Sequence, residues 1–277
     1  MSEQELETGK FASRSYLVPA PRSVRVVDWN IDRGLQLSAI IDFLAAAKAD
    51  LLLLQEVDLN ARRTHRRNVA RDISQKLQMN YVFGREFEEL TQGTKASPAY
   101  HGQATLSRWP LSNTRMIRFH EQSSFWRPRW YRPRASVFQE RLGGRIGLVT
   151  DVNVDGRTVV TYNLHLESRG DDQLRHAQLN EILMDVHCYN QKMPLIVAGD
   201  LNFDVSSGDA AAAISQAMFV NPFSSLHLRT NPPHSLFDTG RAIDWVFIRG
   251  PLQASYPTVH RSVRASDHYP LSVVVNL

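Results

Sequence analysis

The chain has 277 residues, 43% of them hydrophobic and 22% charged, which excludes wholesale disorder and allows a sizeable core in one or two domains. Its formal charge of +4 is too small for the total alone to establish a nucleic-acid partner. No apolar run approaches the ~18 residues of a membrane span, and the opening MSEQELETGK is unlike a secretory signal, so a cytoplasmic protein with no transmembrane segment is expected.

Residues 1–20 read as a polar, loosely ordered leader, and 21–277 as a single domain, because no linker or fixed-period repeat interrupts the rest. VRVVDWN reads as a buried strand, and Leu37, Ile40, Ile41 and Leu44 then recur at the three- and four-residue intervals of one helix face. LLLLQE repeats the strand signal, and an arginine-rich turn leads to a helix with Val69, Ile73 and Leu77 on one side. QATLSR, RIGLVTDVNV and RTVVTYNLHL read as strands, the last two paired antiparallel through the turn at Asn153 to Gly156. Leu179, Ile182, Leu183 and Val186 mark a further helix, and PLIVAGD, AIDWVFI and PLSVVVNL three further strands. The pattern is mixed α/β. The single cysteine, Cys188, excludes an internal disulfide and is expected to be a small buried hydrophobe in a helix.

The positive charge is concentrated. Residues 61–71 carry Arg62, Arg63, Arg66, Arg67 and Arg71 with no acid, and 125–145 carry six arginines against Glu140; subtracting these two segments of +5 from the total of +4 leaves −6 elsewhere. Such a field suits a phosphate-bearing substrate, although a solvated basic surface gives the same tally. In the second segment Arg127, Arg129, Arg132 and Arg134 alternate with Phe125, Trp126, Trp130 and Tyr131, between Pro128 and Pro133. A protruding loop there could offer cations to phosphates and rings to bases, so Arg127, Arg129, Trp130, Arg132 and Arg134 are the substrate-binding candidates. The same chemistry could meet an anionic lipid headgroup.

Three apolar runs end in groups suited to ligand or proton chemistry: Asn30, Glu56 and Asp200. A carboxylate at a strand end can be held rigidly beside a pocket without burying an unpaired charge. Mg²⁺ prefers oxygen donors and keeps several waters, so Glu56 supplemented by Asn30, Asp32 or Asp267 would suffice to hold it, with Mn²⁺ a second possibility. Taken singly, Glu56 could equally be a salt-bridged glutamate, Asn30 a turn residue, Asp32 a surface acid, and Asp200 with Asn202 an Asx turn.

The ordered set WNID, LQE, NLHLES, GDLN, IDW and SDHYP, spanning residues 29–270, resembles the endonuclease/exonuclease/phosphatase superfamily, whose fold is similar to pancreatic-type deoxyribonuclease. The resemblance implies a four-layer α/β/β/α sandwich, two mixed sheets face to face with helices outside and an active site at one sheet edge. It also implies that Asn30 and Glu56 organise metal and phosphate, that Asp32 joins the metal or its water shell, and that Asp244 holds the imidazole of His268. Asp200 is then the base for an attacking water, Asn202 orients water or phosphate, and His165 and His268 meet developing charge. The implied activity is that of a metal-dependent hydrolase, a phosphodiesterase or nuclease acting on nucleic acid or DNA ends as a monomer. A lipid or inositol phosphate esterase is the alternative, and a non-catalytic phosphate-binding protein a third reading. WNID before Gly34 and HLES before Arg169 and Gly170 look like the 5′-tyrosyl-DNA phosphodiesterase branch, departing from it at Arg33 and in lacking a threonine after Ser168. QEVD with RRTHRRN, and HGQATLSRWP, look like bacterial members of the superfamily.

Overall fold

Alternation along the buried strands decides the layering. The computed structural model describes residues 5–12, 23–126, 140–226, 228–233 and 240–277. The elements run β1 (Leu6–Gly9), β2 (Ser23–Arg33), α1 (Leu37–Ala46), β3 (Leu51–Leu59), α2 (Val69–Leu77), β4 (Asn80–Glu89), β5 (Tyr100–Ser107), β6 (Leu111–Arg118) and β7 (Arg141–Gly143). They continue with β8 (Ile146–Val154), β9 (Arg157–His165), α3 (Asp172–Val186), β10 (Leu195–Asp200), α4 (Gly208–Gln216), β11 (Asp244–Arg249), β12 (Gln253–Val259) and β13 (Leu271–Asn276). The first sheet has the order β1-β4-β5-β3-β2-β13-β12, with β7 also paired to β4, and the second the order β11-β10-β9-β8-β6. Both are mixed: β2–β3 and β9–β10 are parallel, and their other pairings are antiparallel.

Because successive side chains point to opposite faces, β2 sends Val24 and Val26 into the space between the sheets, and Val27, Trp29 and Ile31 to the outer face. β3 does the same with Leu51 and Leu53 against Leu52 and Leu54. The inner layer is completed by Ile196, Ala198, Val246 and Ile248 of the second sheet. Helices α1 and α2 cover the first sheet through Ile40, Leu44, Val69 and Ile73, and α3 and α4 cover the second through Leu179, Ile182 and Ile214. Each such buried Val, Leu or Ile contributes about 1.5–3 kcal/mol, so both strand faces hold their layers in place. This is the four-layer sandwich of two mixed sheets that the resemblance implies.

Three local expectations are corrected. Within the leader, Leu6–Gly9 is an edge strand on β4, secured by the Tyr81 hydroxyl, which donates to Glu7 Oε1 at 2.7 Å, and by Asn68, whose side-chain amide also donates to Glu7. The strands read as ending at Asn30 and Glu56 instead continue through bulges: register shifts fall between Asn30 and Arg33 in β2, and between Leu54 and Val57 in β3. Cys188 lies beyond the end of α3 and is exposed, because the apolar face of that helix is completed by Val186.

Below the site, the inter-sheet layer turns polar. Gln55 Nε2 donates to Asp28 Oδ1 at 2.9 Å and to Asn163 Oδ1 at 2.8 Å, while Asn163 Nδ2 donates to the carbonyls of Leu54 and Ala104 at 3.1 and 3.0 Å. These bonds tie the central strands of both sheets at one height. Asp28 is wholly buried and its Oδ2 has no hydrogen-bond partner among the described residues. Burial, with Asp244 adding, holds its carboxyl well above the usual range. The folded chain therefore keeps a proton that the unfolded chain releases above the ordinary carboxylate pKa, and stability falls with rising pH by up to about 1.4 kcal/mol per pH unit. Asp28→Asn removes that loss. Its stability relative to the parent should grow from pH 5 to pH 8 in chemical denaturation, whereas a pH-independent difference would show Asp28 to be ionised.

Candidate active site

Backbone register lines up the polar groups. Asp200, the last residue of β10, stands opposite His165, the last of β9, on one side and Asp244, the first of β11, on the other. The approach of β10 to β9 depends on Gly199, whose φ is +145° and whose position would place a Cβ 1.9 Å from the Leu164 carbonyl oxygen. Only glycine fits there. Across the gap between sheets, Asn30 Nδ2 donates to Asp200 Oδ2 at 3.1 Å. His268, just before β13, is anchored by its own carbonyl, which accepts from Trp29 Nε1 at 2.9 Å. Its backbone N–H donates to Ser266 Oγ at 3.1 Å, and that hydroxyl donates to the Asn30 carbonyl at 2.6 Å.

The result is a set of buried groups converging on one oxygen. Asp200 Oδ2 lies 3.6 Å from His165 Nε2 and 3.8 Å from His268 Nε2. His268 Nδ1 faces Asp244, 2.9 Å from each carboxylate oxygen, which is the pairing the resemblance implies. Asn202, at φ +60°, donates its backbone N–H to Asp200 Oδ1 at 2.9 Å and its side-chain amide to the Leu166 carbonyl at 3.1 Å. The Asx turn is therefore real, and it fixes the second oxygen of Asp200.

The electrostatics separate the two histidines. His268 is buried, which opposes its charge, but Asp244 and Asp200 outweigh burial and raise its pKa well above the ordinary value. His165 is lowered well below it by burial and by the neighbouring guanidinium of Arg145. His268 is thus held as an imidazolium and His165 as a neutral ring. Burial also raises Asp200, with Asp244 adding and His268 opposing, to about 7.

Beside this cluster stand the acids expected to hold metal. Glu56 occupies the bulge of β3 at φ +50°, and Asp32 and Arg33 take φ values of +42° and +66° where β2 is irregular. The ladder is interrupted at these bulges, and Asp32, Arg33 and Glu56 are only partly buried there. Arg33 contacts Asp32 and lies 3.3 Å from Glu56 Oε2, so the salt-bridge reading of Glu56 also holds. Asp32 is raised by burial and then by Asp267, with Glu56 adding to the repulsion that Arg33 offsets. Asp32 is repelled by both Asp267 and Glu56, and its backbone N–H donates to the Asn30 side-chain oxygen at 3.1 Å, so the oxygen donors here are of the kind a divalent cation takes. One ligand atom each from Glu56, His101 and His165 lies within 4.8 Å of the others, which joins the acidic group to the Asp200 cluster.

His101, Asp58, Glu86 and Arg145 were missed as site residues. His101 Nδ1 donates to Asp58 Oδ1 at 3.1 Å, and Arg63 braces that carboxylate through Nε and Nη2, both at 2.7 Å. Nothing in HGQATLSR signals this, because Asp58 lies 43 residues away in sequence. Several arginines counted toward the basic field are ion-paired instead: Arg63 and Arg141 with Glu89, Arg67 with Asp72, and Arg145 with Glu86. Arg127, Arg129, Trp130, Arg132 and Arg134 lie outside the described residues.

Two helix-covered mixed sheets carry paired acids and imidazoles at one edge, and the family to which the chain belongs makes it a hydrolase of the phosphoesterase and nuclease type. Residues 29–268 match the Endonuclease/Exonuclease/phosphatase family, and the chain belongs to it. No curated protein sequence matches the chain. Among solved structures, an endonuclease/exonuclease/phosphatase from Beutenbergia cavernae is similar with a TM-score of 0.66 and 17% identity, over 93% of this chain and 72% of that one. TDP2 from C. elegans is similar with a TM-score of 0.64 and 18% identity, over 92% and 75% of the two chains. The human Nocturnin catalytic domain, solved with a bound sulfate anion, has a TM-score of 0.65 and 19% identity over 93% and 96%. These likenesses establish the fold. No helix among the described residues is long and apolar enough to cross a membrane.

Proposed function

We propose that the chain is a divalent-metal-dependent phosphodiesterase that hydrolyses nucleic acid or DNA ends by attack of water on phosphorus. The observation that carries this reading is the convergence of Asn30, His165 and His268 on the single buried oxygen Oδ2 of Asp200, at 3.1 to 3.8 Å. A base next to one cationic and one neutral hydrogen-bond donor suits a reaction that deprotonates water while charge builds on phosphoryl oxygens.

In this reading Asp200 takes the proton of the attacking water, with its other oxygen held by Asn202. A new O–P bond forms as the ester P–O bond breaks, and the leaving oxygen departs with the bonding electrons and takes its proton from water. His268, kept charged by Asp244, faces the phosphoryl oxygens, while His165 offers them a neutral N–H. Glu56, Asp32 and Asp267, with Asn30, would hold Mg²⁺ or Mn²⁺, which when bound supplies Lewis-acid polarisation of a phosphoryl oxygen. The preference for nucleic acid rests on the alternation of arginine with Trp and Tyr over residues 125–134.

A side-by-side assay of oligonucleotides, 5′-tyrosyl DNA, sphingomyelin and inositol phosphates tests the proposal. Turnover of the nucleic acids with added Mg²⁺ or Mn²⁺, lost with chelator, is expected. Preference for sphingomyelin or inositol phosphates would move the substrate class to lipid or inositol esters. Binding without hydrolysis across the panel would leave only a phosphate-binding protein.

A further inference from the structure

Arg145 is the least expected member of the site. It directly precedes β8 and is 3% exposed, although it was counted with the surface arginines. Gln122 clamps its backbone from both sides: the Arg145 N–H donates to Gln122 Oε1 at 2.7 Å, and Gln122 Nε2 donates to the Arg145 carbonyl at 3.0 Å. The guanidinium is held as firmly. Nη1 donates to Glu86 Oε1 at 2.6 Å, Nη2 donates to Ser168 Oγ at 2.9 Å, and the Trp126 ring lies 5.2 Å from the guanidinium carbon. Nη1 also lies 2.9 Å from Nδ1 of His165.

That contact has one chemical meaning. A guanidinium carries only donors, so Nδ1 of His165 must accept and cannot itself bear a hydrogen. A neutral imidazole has one N–H, which then sits on Nε2, the nitrogen 3.6 Å from Asp200 Oδ2. The competing acceptor for an Nδ1–H would be Glu86 Oε2, but it stands farther away, at 3.7 Å, and makes no hydrogen bond among the described residues.

We propose that Arg145 is a positioning residue that locks His165 in the Nε2–H tautomer, making it a fixed hydrogen-bond donor to the phosphoryl group and barring it from taking a proton. A second proton could enter only at Nδ1, against the guanidinium. Proton transfer during ester cleavage therefore bypasses His165, and the two histidines are not interchangeable. The catalytic part of the inference rests on the hydrolytic reading above; the tautomer itself does not.

The test is long-range ¹H–¹⁵N correlation spectroscopy of protein labelled at histidine, with His165 assigned by difference against His165→Gln. The expected ring has a bare Nδ1 and a protonated Nε2; a proton on Nδ1, alone or with a second on Nε2, overturns the proposal. Replacing Arg145 alone would strand the buried Glu86, so the perturbing variant is Arg145→Met combined with Glu86→Gln. There the single tautomer should be lost and kcat should fall about 10²-fold, as when one preorganised donor is removed, with KM little changed. Arg145→Lys, which keeps a donor facing Nδ1, should retain the tautomer and recover most of kcat. A single Nε2–H tautomer persisting in the double variant would remove Arg145 from the role. If that variant does not fold, the spectrum of the parent chain decides alone. The expected spectrum from a chain that hydrolyses no ester would defeat the functional reading and leave the lock standing.

Discussion

Asp200→Asn is expected to lower kcat for phosphodiester hydrolysis by about 10³-fold or more while leaving the fold intact. The amide has the same shape, and its oxygen can still accept from Asn30 or from the Asn202 backbone, but it cannot take a proton from water. Burial, with Asp244 adding and His268 opposing, puts the Asp200 carboxyl at about 7. The ionised form is the active one, so kcat/KM of the parent chain should climb about tenfold per pH unit below that value and flatten above it. The same shift has a stability consequence of opposite sense. The folded state retains a proton there that the unfolded state has already released, so ionisation at higher pH costs stability, and the neutral amide should be the more stable chain above pH 7. Steady-state rates across pH, beside thermal unfolding of both proteins, check both halves. An Asp200→Asn chain with near-parental turnover, or a parent whose rate ignores pH between 5 and 8, would take Asp200 out of the role of base.

Glu56→Gln should abolish tight divalent-cation binding. Burial works against the charge of Glu56, yet His101, Arg33, Arg145 and His268 together outweigh it and hold the carboxyl at about 2, so it is ionised across the working range. Loss of a partner that merely supports a metal ligand commonly costs about 10- to 100-fold in affinity, and loss of the ligand's own charge should cost at least that. Calorimetric titration with Mg²⁺ and Mn²⁺ reads the loss directly, and turnover at limiting metal should fall in parallel. Unchanged affinity in the variant would place the ion elsewhere.

The parts of the molecule legible in the sequence are those set by short-range rules. VRVVDWN, LLLLQE and LIVAGD are apolar runs flanked by polar groups, and each forms a strand that delivers its terminal polar residues to one edge. Strand β4 was hidden because Gly84, Glu86 and Glu89 interrupt its apolar pattern, and those acids are buried beside arginines distant in sequence, Arg63, Arg141 and Arg145. Strand β12, with its exposed alternate residues, and helix α4, built largely on alanine, carry too little apolar contrast to stand out. At the site, Asp200 was readable because it ends a strong strand, whereas Asp244 and His268 were read through the resemblance carried by IDW and SDHYP. His101 and Arg145 were not, because their chemistry is defined by partners, Asp58 and His165, that only the folded chain brings near. The bulges at Asn30–Arg33 and at Glu56, where the acids Asp32 and Glu56 sit, leave no mark on composition.

The line of facing residues His165, Asp200 and Asp244 makes strand alignment part of the chemistry. Sliding β10 by a single position along its neighbours would preserve most of its ladder bonds but rotate the carboxylate of Asp200 to the opposite face. Inserting one residue within β10 could therefore leave a protein that still assembles and yet is inert, a failure that circular dichroism would miss and only an activity measurement would reveal.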